Sequence, residues 1–103
     1  MMKLKAGIIG LGGFSKIILK SLERSRIVEV VAAADIRQEM RLEADETFNF
    51  SNIYDRAEDI FSDSSIQIVI IATPPFLHAQ LGKKAMEAGK HVFFEKPGDR
   101  KSV

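Results

Sequence analysis

The stretch Leu4-Lys5-Ala6-Gly7-Ile8-Ile9-Gly10-Leu11-Gly12-Gly13-Phe14-Ser15 decides the fold of this chain. Its first half, residues 4–9, is a short apolar run with a glycine-rich end, which is typical of a buried strand. Apolar side chains then recur at helical spacing over residues 14–22, with charged residues between them. We therefore expect a strand, a tight turn and a helix, the first half of a β-α-β unit.

The glycine turn offers a place for a phosphate. Gly10 permits the sharp turn, and Gly12 has no side chain, so a pyrophosphate can approach the backbone there. Gly13 and Phe14 begin a helix whose free N–H groups and positive dipole end attract anions. Ser15 stands where a glycine or alanine usually lets helix and strand pack closely, and it adds only a hydroxymethyl group. A glycine-rich turn without a ligand is the alternative interpretation.

The rest of the chain continues the alternation. Further strands are predicted from Ile27 to Ala34, Asn52 to Tyr54, Ile66 to Ala72 and His91 to Phe94. Further helices are predicted from Gln38 to Phe48, Asp55 to Phe61 and Phe76 to Ala88. Asp55 is placed to cap the third helix, with Glu58 three residues later. This order predicts an α/β fold of the Rossmann type, a doubly wound parallel sheet of about five strands with helices on both faces.

Length and composition limit the classes of protein that need to be considered. The chain has 103 residues, which allows one domain, residues 1–103, with a modest core. Its formal net charge of +1 argues against a nucleic-acid partner. The absence of cysteine excludes a disulfide scaffold, a zinc ribbon and a thiol nucleophile. No apolar run is long enough for a membrane span, so we expect no membrane association and a cytoplasmic location.

An acidic residue strengthens the case for a dinucleotide. Asp35 ends the second predicted strand, about 20 residues beyond the glycines, where a carboxylate accepts hydrogen bonds from an adenosine ribose diol. Because such a carboxylate repels a 2′-phosphate, it favours NAD over NADP. Arg37, two residues on, could soften this preference by stacking on adenine or by meeting a 2′-phosphate. The alternatives are a strand-terminal cap for Asp35 and a solvated side chain for Arg37.

Two later strand ends should meet the glycine turn. In the usual strand order, strand one lies beside strand four, and strand four beside strand five, so their carboxyl ends share one crevice. Thr73 and Pro74 stiffen the loop after strand four, and His78 could reach the cofactor or cap that loop. Glu95-Lys96-Pro97 follows strand five, where Lys96 could donate to a substrate oxygen and Glu95 could hold it in place.

These motifs together resemble a known family. Gly7-Ile8-Ile9-Gly10-Leu11-Gly12, Ala72-Thr73-Pro74-Pro75 with His78, and Glu87-Ala88-Gly89-Lys90-His91-Val92 leading into Glu95-Lys96-Pro97 resemble the amino-terminal domain of Gfo/Idh/MocA oxidoreductases. The resemblance implies an NAD(P)-dependent dehydrogenase of sugars or polyols. It implies that the pyrophosphate is bordered by Gly10, Gly12 and Phe14, the adenosine half by Asp35 and Arg37, and the rest of the dinucleotide by Thr73, Pro74 and His78. Glu95, Lys96 and Pro97 match the family's E-K-P motif, whose lysine acts near the nicotinamide and the substrate.

The resemblance also raises an expectation about domain organisation. Members of the family continue into a second domain that supplies most of the substrate pocket, and this sequence ends at Val103. We therefore expect a cofactor domain without its substrate domain, and little turnover by these residues alone. The alternative is a stand-alone nucleotide-binding or sensing module without catalysis. For such a stand-alone sheet, an exposed fifth strand would favour association with another copy or a partner.

Overall fold

A computed structural model describes residues 2–94 of the chain. The strands are β1 (Leu4–Ile9), β2 (Val28–Ala34), β3 (Asn52–Tyr54), β4 (Ile68–Ile71) and β5 (His91–Phe94). The helices are α1 (Gly13–Leu22), α2 (Gln38–Thr47), α3 (Ala57–Ser62) and α4 (His78–Glu87), and a short 3-10 turn (Pro75–Leu77) precedes α4. The alternation predicted from the sequence is confirmed, including the short third strand.

The five strands form one parallel sheet in the order β3-β2-β1-β4-β5. β1 lies at the centre, and the strand order reverses between β1 and β4. The doubly wound fold is therefore confirmed, with strand one beside strand four and strand four beside strand five as expected. In such a sheet the crevice at the reversal, outside the carboxyl ends of β1 and β4, is where ligands bind.

Helices cover both faces of the sheet because successive strand residues point to opposite sides. On one face Ile8 packs with Ile18 of α1 and Ala44 of α2. On the other face Ile71 packs with Ile60 of α3 and Ala85 of α4. All of these side chains are buried, so the sheet is covered on both sides, as its nearly continuous apolar strands predict.

β4 is shorter than predicted. The strand was expected from Ile66 to Ala72, but it runs from Ile68 to Ile71. Ile66 is buried, yet its N–H donates to the Asp63 carbonyl at 3.1 Å in the turn that precedes the strand. Its hydrophobicity therefore serves the core without strand pairing at that position.

Helices α3 and α4, which pack on the same face of the sheet, begin later than predicted. α3 begins at Ala57, and the residue before it, Arg56, is extended and makes no side-chain cap bond. The predicted Asp55 cap is therefore wrong, because a capping side chain must belong to the residue directly before the first helical one. At α4, Pro75 begins the 3-10 turn and the α-helix starts at His78 instead of Phe76.

Candidate cofactor site

A cavity of about 600 Å³ lies at the carboxyl ends of β1, β2 and β4. It is found where the reversal of strand order predicts a ligand site. Most of the candidate site residues among the described ones line it together: Gly10, Gly12, Gly13, Phe14, Asp35, Arg37, Thr73 and Pro74. The structure thus brings the glycine turn, the end of β2 and the loop after β4 to one place.

Gly10 holds the ends of β1 and β4 against each other. Its φ of 100° is a conformation that side-chain-bearing residues rarely adopt. A Cβ there would lie 3.0 Å from the carbonyl carbon and oxygen of Ala72. Both the backbone conformation and the close approach of the two strand ends therefore require glycine at this position.

Gly12 has a different role, because its space is open. A Cβ on Gly12 would meet only Arg37 Nη2, at 3.7 Å, and the φ of Gly12 is −72°, which any residue can adopt. Nothing within the described residues therefore demands glycine at this position for folding. The open space in front of the backbone is what a pyrophosphate needs, so the turn fits the group predicted from the sequence.

The start of α1 presents donors to the same space. Gly12 is the N-cap residue and provides no side-chain cap, so the N–H groups of Gly13 and Phe14 have no acceptor within the helix. The Ser15 N–H and hydroxyl both donate to the Gly12 carbonyl, at 3.1 and 2.6 Å. Ser15 is 1% exposed and does not line the cavity, so its hydroxyl stabilises the turn from the buried side.

The Asp35 carboxylate accepts four hydrogen bonds. Oδ2 accepts from the Leu11 N–H at 2.8 Å and from Arg37 Nη2 at 2.9 Å. Oδ1 accepts from the Arg37 N–H at 2.8 Å and from Arg37 Nε at 3.0 Å. Burial of the carboxyl opposes ionisation, but the hydrogen bonds from Arg37 and Leu11 outweigh it and hold the pKa of Asp35 below its ordinary value. Asp35 is therefore a charged group tied to both the glycine turn and the end of β2.

Two guanidinium groups surround the end of β2. Arg37 forms the ion pair with Asp35, and this pairing raises the pKa of the Arg37 guanidinium. Arg41, one turn into α2, donates from Nη1 to the Asp35 carbonyl oxygen at 2.8 Å. The end of β2 therefore carries two guanidinium groups, of which Arg37 lines the cavity and Arg41 holds the backbone of Asp35.

His78 stabilises the loop after β4 without lining the cavity. Its Nε2 donates to the Thr73 carbonyl at 2.8 Å, and its ring stacks on Phe94 with centroids 5.1 Å apart. His78 is buried and does not line the cavity. Of the two roles that the sequence left open, this position matches the loop cap. The predicted Glu95, Lys96 and Pro97 lie outside the described residues.

Sequence reasoning missed one wall of the cavity. Leu77, Leu81 and Lys84, from the 3-10 turn and α4, line it on the side opposite the glycine turn. Their spacing of four and three residues is that of one helix face, so this periodicity was a usable signal. Ile36, which is 84% exposed, lines the cavity beside Asp35, and nothing in its position in the sequence marked it.

Within residues 2–94, no group of histidine, aspartate and glutamate side chains is arranged to hold a metal ion. No helix in that range is long and apolar enough to cross a bilayer. The cavity at the carboxyl ends of the strands remains the candidate functional site.

A doubly wound sheet with an open glycine turn and a buried carboxylate after β2 defines a dinucleotide-binding domain of the Rossmann class. Residues 4–98 match the family model described as an oxidoreductase family with an NAD-binding Rossmann fold. The chain belongs to this family, Gfo/Idh/MocA, which confirms the resemblance and the expected nicotinamide cofactor.

Similar proteins agree with this assignment. Inositol 2-dehydrogenase from Salmonella paratyphi B is 35% identical over 98 residues, which are 93% of this chain and 29% of that protein. Scyllo-inositol dehydrogenase from Lactobacillus casei, solved with NAD(H) and scyllo-inositol, superposes with a TM-score of 0.84 at 29% sequence identity. The match covers 93% of this chain and 28% of that protein. A 3-ketoreductase from Actinomadura kijaniata, solved with TDP-benzene and NADP, superposes with a TM-score of 0.84 at 27% sequence identity. The match covers 93% of this chain and 31% of that protein. The chain thus spans about a third or less of each of these relatives.

Proposed function

We propose that this chain supplies the NAD(P)(H) site of an oxidoreductase that transfers a hydride between the nicotinamide and a sugar or polyol-like substrate. The coenzyme proposal depends on one observation above all. Gly12, at the open start of α1, and the Asp35 carboxylate face the same cavity. They provide the two kinds of group that a dinucleotide needs, N–H donors for a pyrophosphate and an anionic acceptor for a ribose.

Each lining residue has a proposed role in holding the coenzyme. The backbone at Gly12, Gly13 and Phe14 would hold the pyrophosphate, and Asp35 would accept hydrogen bonds from the adenosine ribose. Thr73, which lies beside Gly10, and Pro74 would form the wall at the end of β4. When bound, the nicotinamide supplies the hydride chemistry, and the protein contributes binding and orientation.

The substrate part of the proposal is supported by the relatives and by Lys96. The inositol dehydrogenases named above act on cyclic polyols, as their names state. Lys96, which stands between Glu95 and Pro97 in the sequence, would act near the nicotinamide and donate to the substrate oxygen during hydride transfer. A cytoplasmic location, association of copies and a substrate domain outside residues 1–103 stay predictions.

The coenzyme proposal is tested with the Gly12→Ala variant. An added methyl group clashes with no described atom, so we expect a folded protein within about 1 kcal/mol of the wild-type stability. The methyl group would occupy the approach of the pyrophosphate, so NADH affinity should fall at least about tenfold. NADH titration followed by fluorescence gives the affinity, and urea unfolding gives the stability.

The control for this experiment is Ser64→Ala, an exposed change in the turn before β4, at the opposite end of the sheet. It should leave NADH affinity unchanged. Equal affinities of wild type and a folded Gly12→Ala variant would contradict the assignment of the glycine turn. Absence of NADH binding to folded wild-type protein would contradict the proposed function itself.

The substrate part needs a second experiment. The intact gene product is incubated with NAD⁺ and a panel of inositols and sugars, and the absorbance of reduced nicotinamide is followed. We expect a rate with at least one polyol, and its loss in Lys96→Ala with NADH affinity retained. Coenzyme binding without turnover of any member of the panel would instead favour the non-catalytic sensing module.

A further inference from the structure

The Asp35 carboxylate has no free acceptor position. A carboxylate offers roughly four lone-pair positions, two on each oxygen. Each Asp35 oxygen already accepts two hydrogen bonds, one from a backbone N–H and one from the Arg37 guanidinium. The Asp35 side chain is only 4% exposed, so solvent and ligands have little other access to it. A ribose diol cannot reach this carboxylate unless a present donor leaves.

Only the guanidinium can leave. The N–H groups of Leu11 and Arg37 belong to the glycine turn and to the residue before α2, so they are fixed by the fold. The Arg37 side chain is 51% exposed and lies over Gly12, with Nη2 3.7 Å from the position of a Gly12 Cβ. Its departure would free one acceptor position on each Asp35 oxygen. Those two positions match the two hydroxyl groups of a ribose diol.

We infer that the Arg37 guanidinium is an internal ligand of the ribose subsite and the residue that sets the preference between NAD(H) and NADP(H). This inference rests on the proposed function. In the free protein Arg37 occupies the place of the diol and neutralises Asp35. An incoming NAD(H) displaces the guanidinium, whereas an incoming NADP(H) offers it a 2′-phosphate as a new partner.

The surrounding charges make the exchange feasible. Glu39, in the first turn of α2, attracts the Arg37 guanidinium and gives it a second acidic neighbour outside the subsite. Arg41 stays bonded to the Asp35 carbonyl oxygen, so one cation remains near the subsite after Arg37 has moved. A 2′-phosphate would then meet the Arg37 guanidinium beside the Asp35 carboxylate, and the repulsion expected from Asp35 alone is offset.

The test measures NADH and NADPH affinities of wild type, Arg37→Ala and Arg37→Lys. Removal of the internal ligand should tighten NADH binding of Arg37→Ala by about threefold to tenfold. Loss of the phosphate partner should weaken its NADPH binding by at least about tenfold. Arg37→Lys keeps the charge but not the two-pronged donor, so its NADH to NADPH ratio should lie between the other two. Arg24→Ala, an exposed change after α1, is the charge-matched control and should leave both affinities unchanged.

A second readout follows the internal ligand without coenzyme. The Arg37 Nε–H should give a slowly exchanging cross peak in ¹⁵N-correlated spectra of the free protein. The peak should be absent from Arg37→Ala and Asp35→Asn and should be lost on addition of NADH. Weaker NADH binding by Arg37→Ala, or a change in the NADH to NADPH ratio below twofold, would overturn the inference. A protected Nε–H in a protein that binds neither coenzyme would overturn the proposed function but leave the internal ion pair established.

Discussion

Asp35 connects three parts of the site, because its carboxylate holds the glycine turn through Leu11, the residue before α2 through the Arg37 N–H, and the Arg37 guanidinium. A charge that is buried and fully hydrogen-bonded stabilises the fold only while it stays ionised. The same four bonds that organise the subsite therefore link its geometry to pH.

The first residue-scale prediction concerns this pH dependence. The folded-state pKa of Asp35 lies below its unfolded value of about 3.9. Its stabilisation is therefore fully present above about pH 4 to 5 and is lost as the pH falls through the folded pKa. Asp35→Asn should be less stable than wild type by about 1–3 kcal/mol at neutral pH, and the difference should shrink towards about pH 3.

Urea unfolding of both proteins over this pH range measures the effect. The pKa values of Asp63 and Glu58 are also lowered. Hydrogen bonds from Ser65 lower the pKa of Asp63, and the backbone N–H of Glu58 together with the Lys84 ammonium lowers the pKa of Glu58. Both carboxyls are present in wild type and variant, so their contributions cancel in the difference. A stability difference that does not change between neutral and acid pH would show that Asp35 is not the group responsible.

At the scale of elements, the contact between β1 and α3 depends on a missing side chain. A Cβ on Gly7 would lie 3.0 Å from Cδ1 and Cγ2 of Ile60 and 3.1 Å from Ile66 Cδ1, and all of these groups are buried. Neither isoleucine can turn into solvent. α3 therefore packs so closely on the centre of the sheet that a Cβ at Gly7 would press on two buried side chains.

Gly7→Ala should consequently destabilise the protein by about 1–3 kcal/mol through overpacking. Ile60→Val, which removes the Cδ1 atom, should reduce that penalty in the double variant, although it costs about 0.5–1.5 kcal/mol alone. A double-mutant cycle in urea would measure the coupling between the two sites. Additive effects would mean that the backbone relaxes and that the close contact is not limiting.

The bounds of most strands could be predicted from the sequence, and the bounds of β4 could not. β1, β3 and β5 were predicted with the bounds they have, because their apolar runs are bounded by glycine or polar turn residues. β4 was overextended because Ile66 is as apolar as the strand while its N–H belongs to a turn. Hydrophobicity reports burial, and it cannot tell a buried strand residue from a buried turn residue.

The candidate site could be predicted only in part, for a related reason. The glycine turn and Asp35 follow from local spacing along the chain. The Arg37–Asp35 ion pair depends on one side-chain conformation among several, and the sequence left stacking on adenine and phosphate contact open. The wall formed by Leu77, Leu81 and Lys84 depends on how α4 is oriented against the sheet, which is a tertiary property.

At the scale of the whole molecule, the cavity joins the two covered faces of the sheet. The α1 side contributes Gly13 and Phe14, whose helix packs on one face, and the other side contributes Leu81 of α4 and Ala57 of α3. A coenzyme that contacts both sides binds only when both layers are in place. Binding should therefore stabilise the whole fold by mass action, and not one layer alone.

Because coenzyme binding stabilises the fold, thermal unfolding with and without NADH can distinguish a variant that weakens the fold from one that weakens the coenzyme site. NADH at about 100 times its Kd should stabilise wild type by about 2.7 kcal/mol. Ile60→Val removes a methyl group from a core residue that does not line the cavity, so it should lower the melting temperature and keep the NADH-induced rise. Since its expected cost is smaller than the ligand effect, NADH should bring this variant above ligand-free wild type. Gly12→Ala should show the opposite pattern, with a small loss of melting temperature and an NADH-induced rise of at most about half the wild-type one. Differential scanning fluorimetry with and without NADH measures both. If Ile60→Val lost the rise as fully as Gly12→Ala did, binding would depend on general stability, and the glycine turn would have no special role in holding the coenzyme.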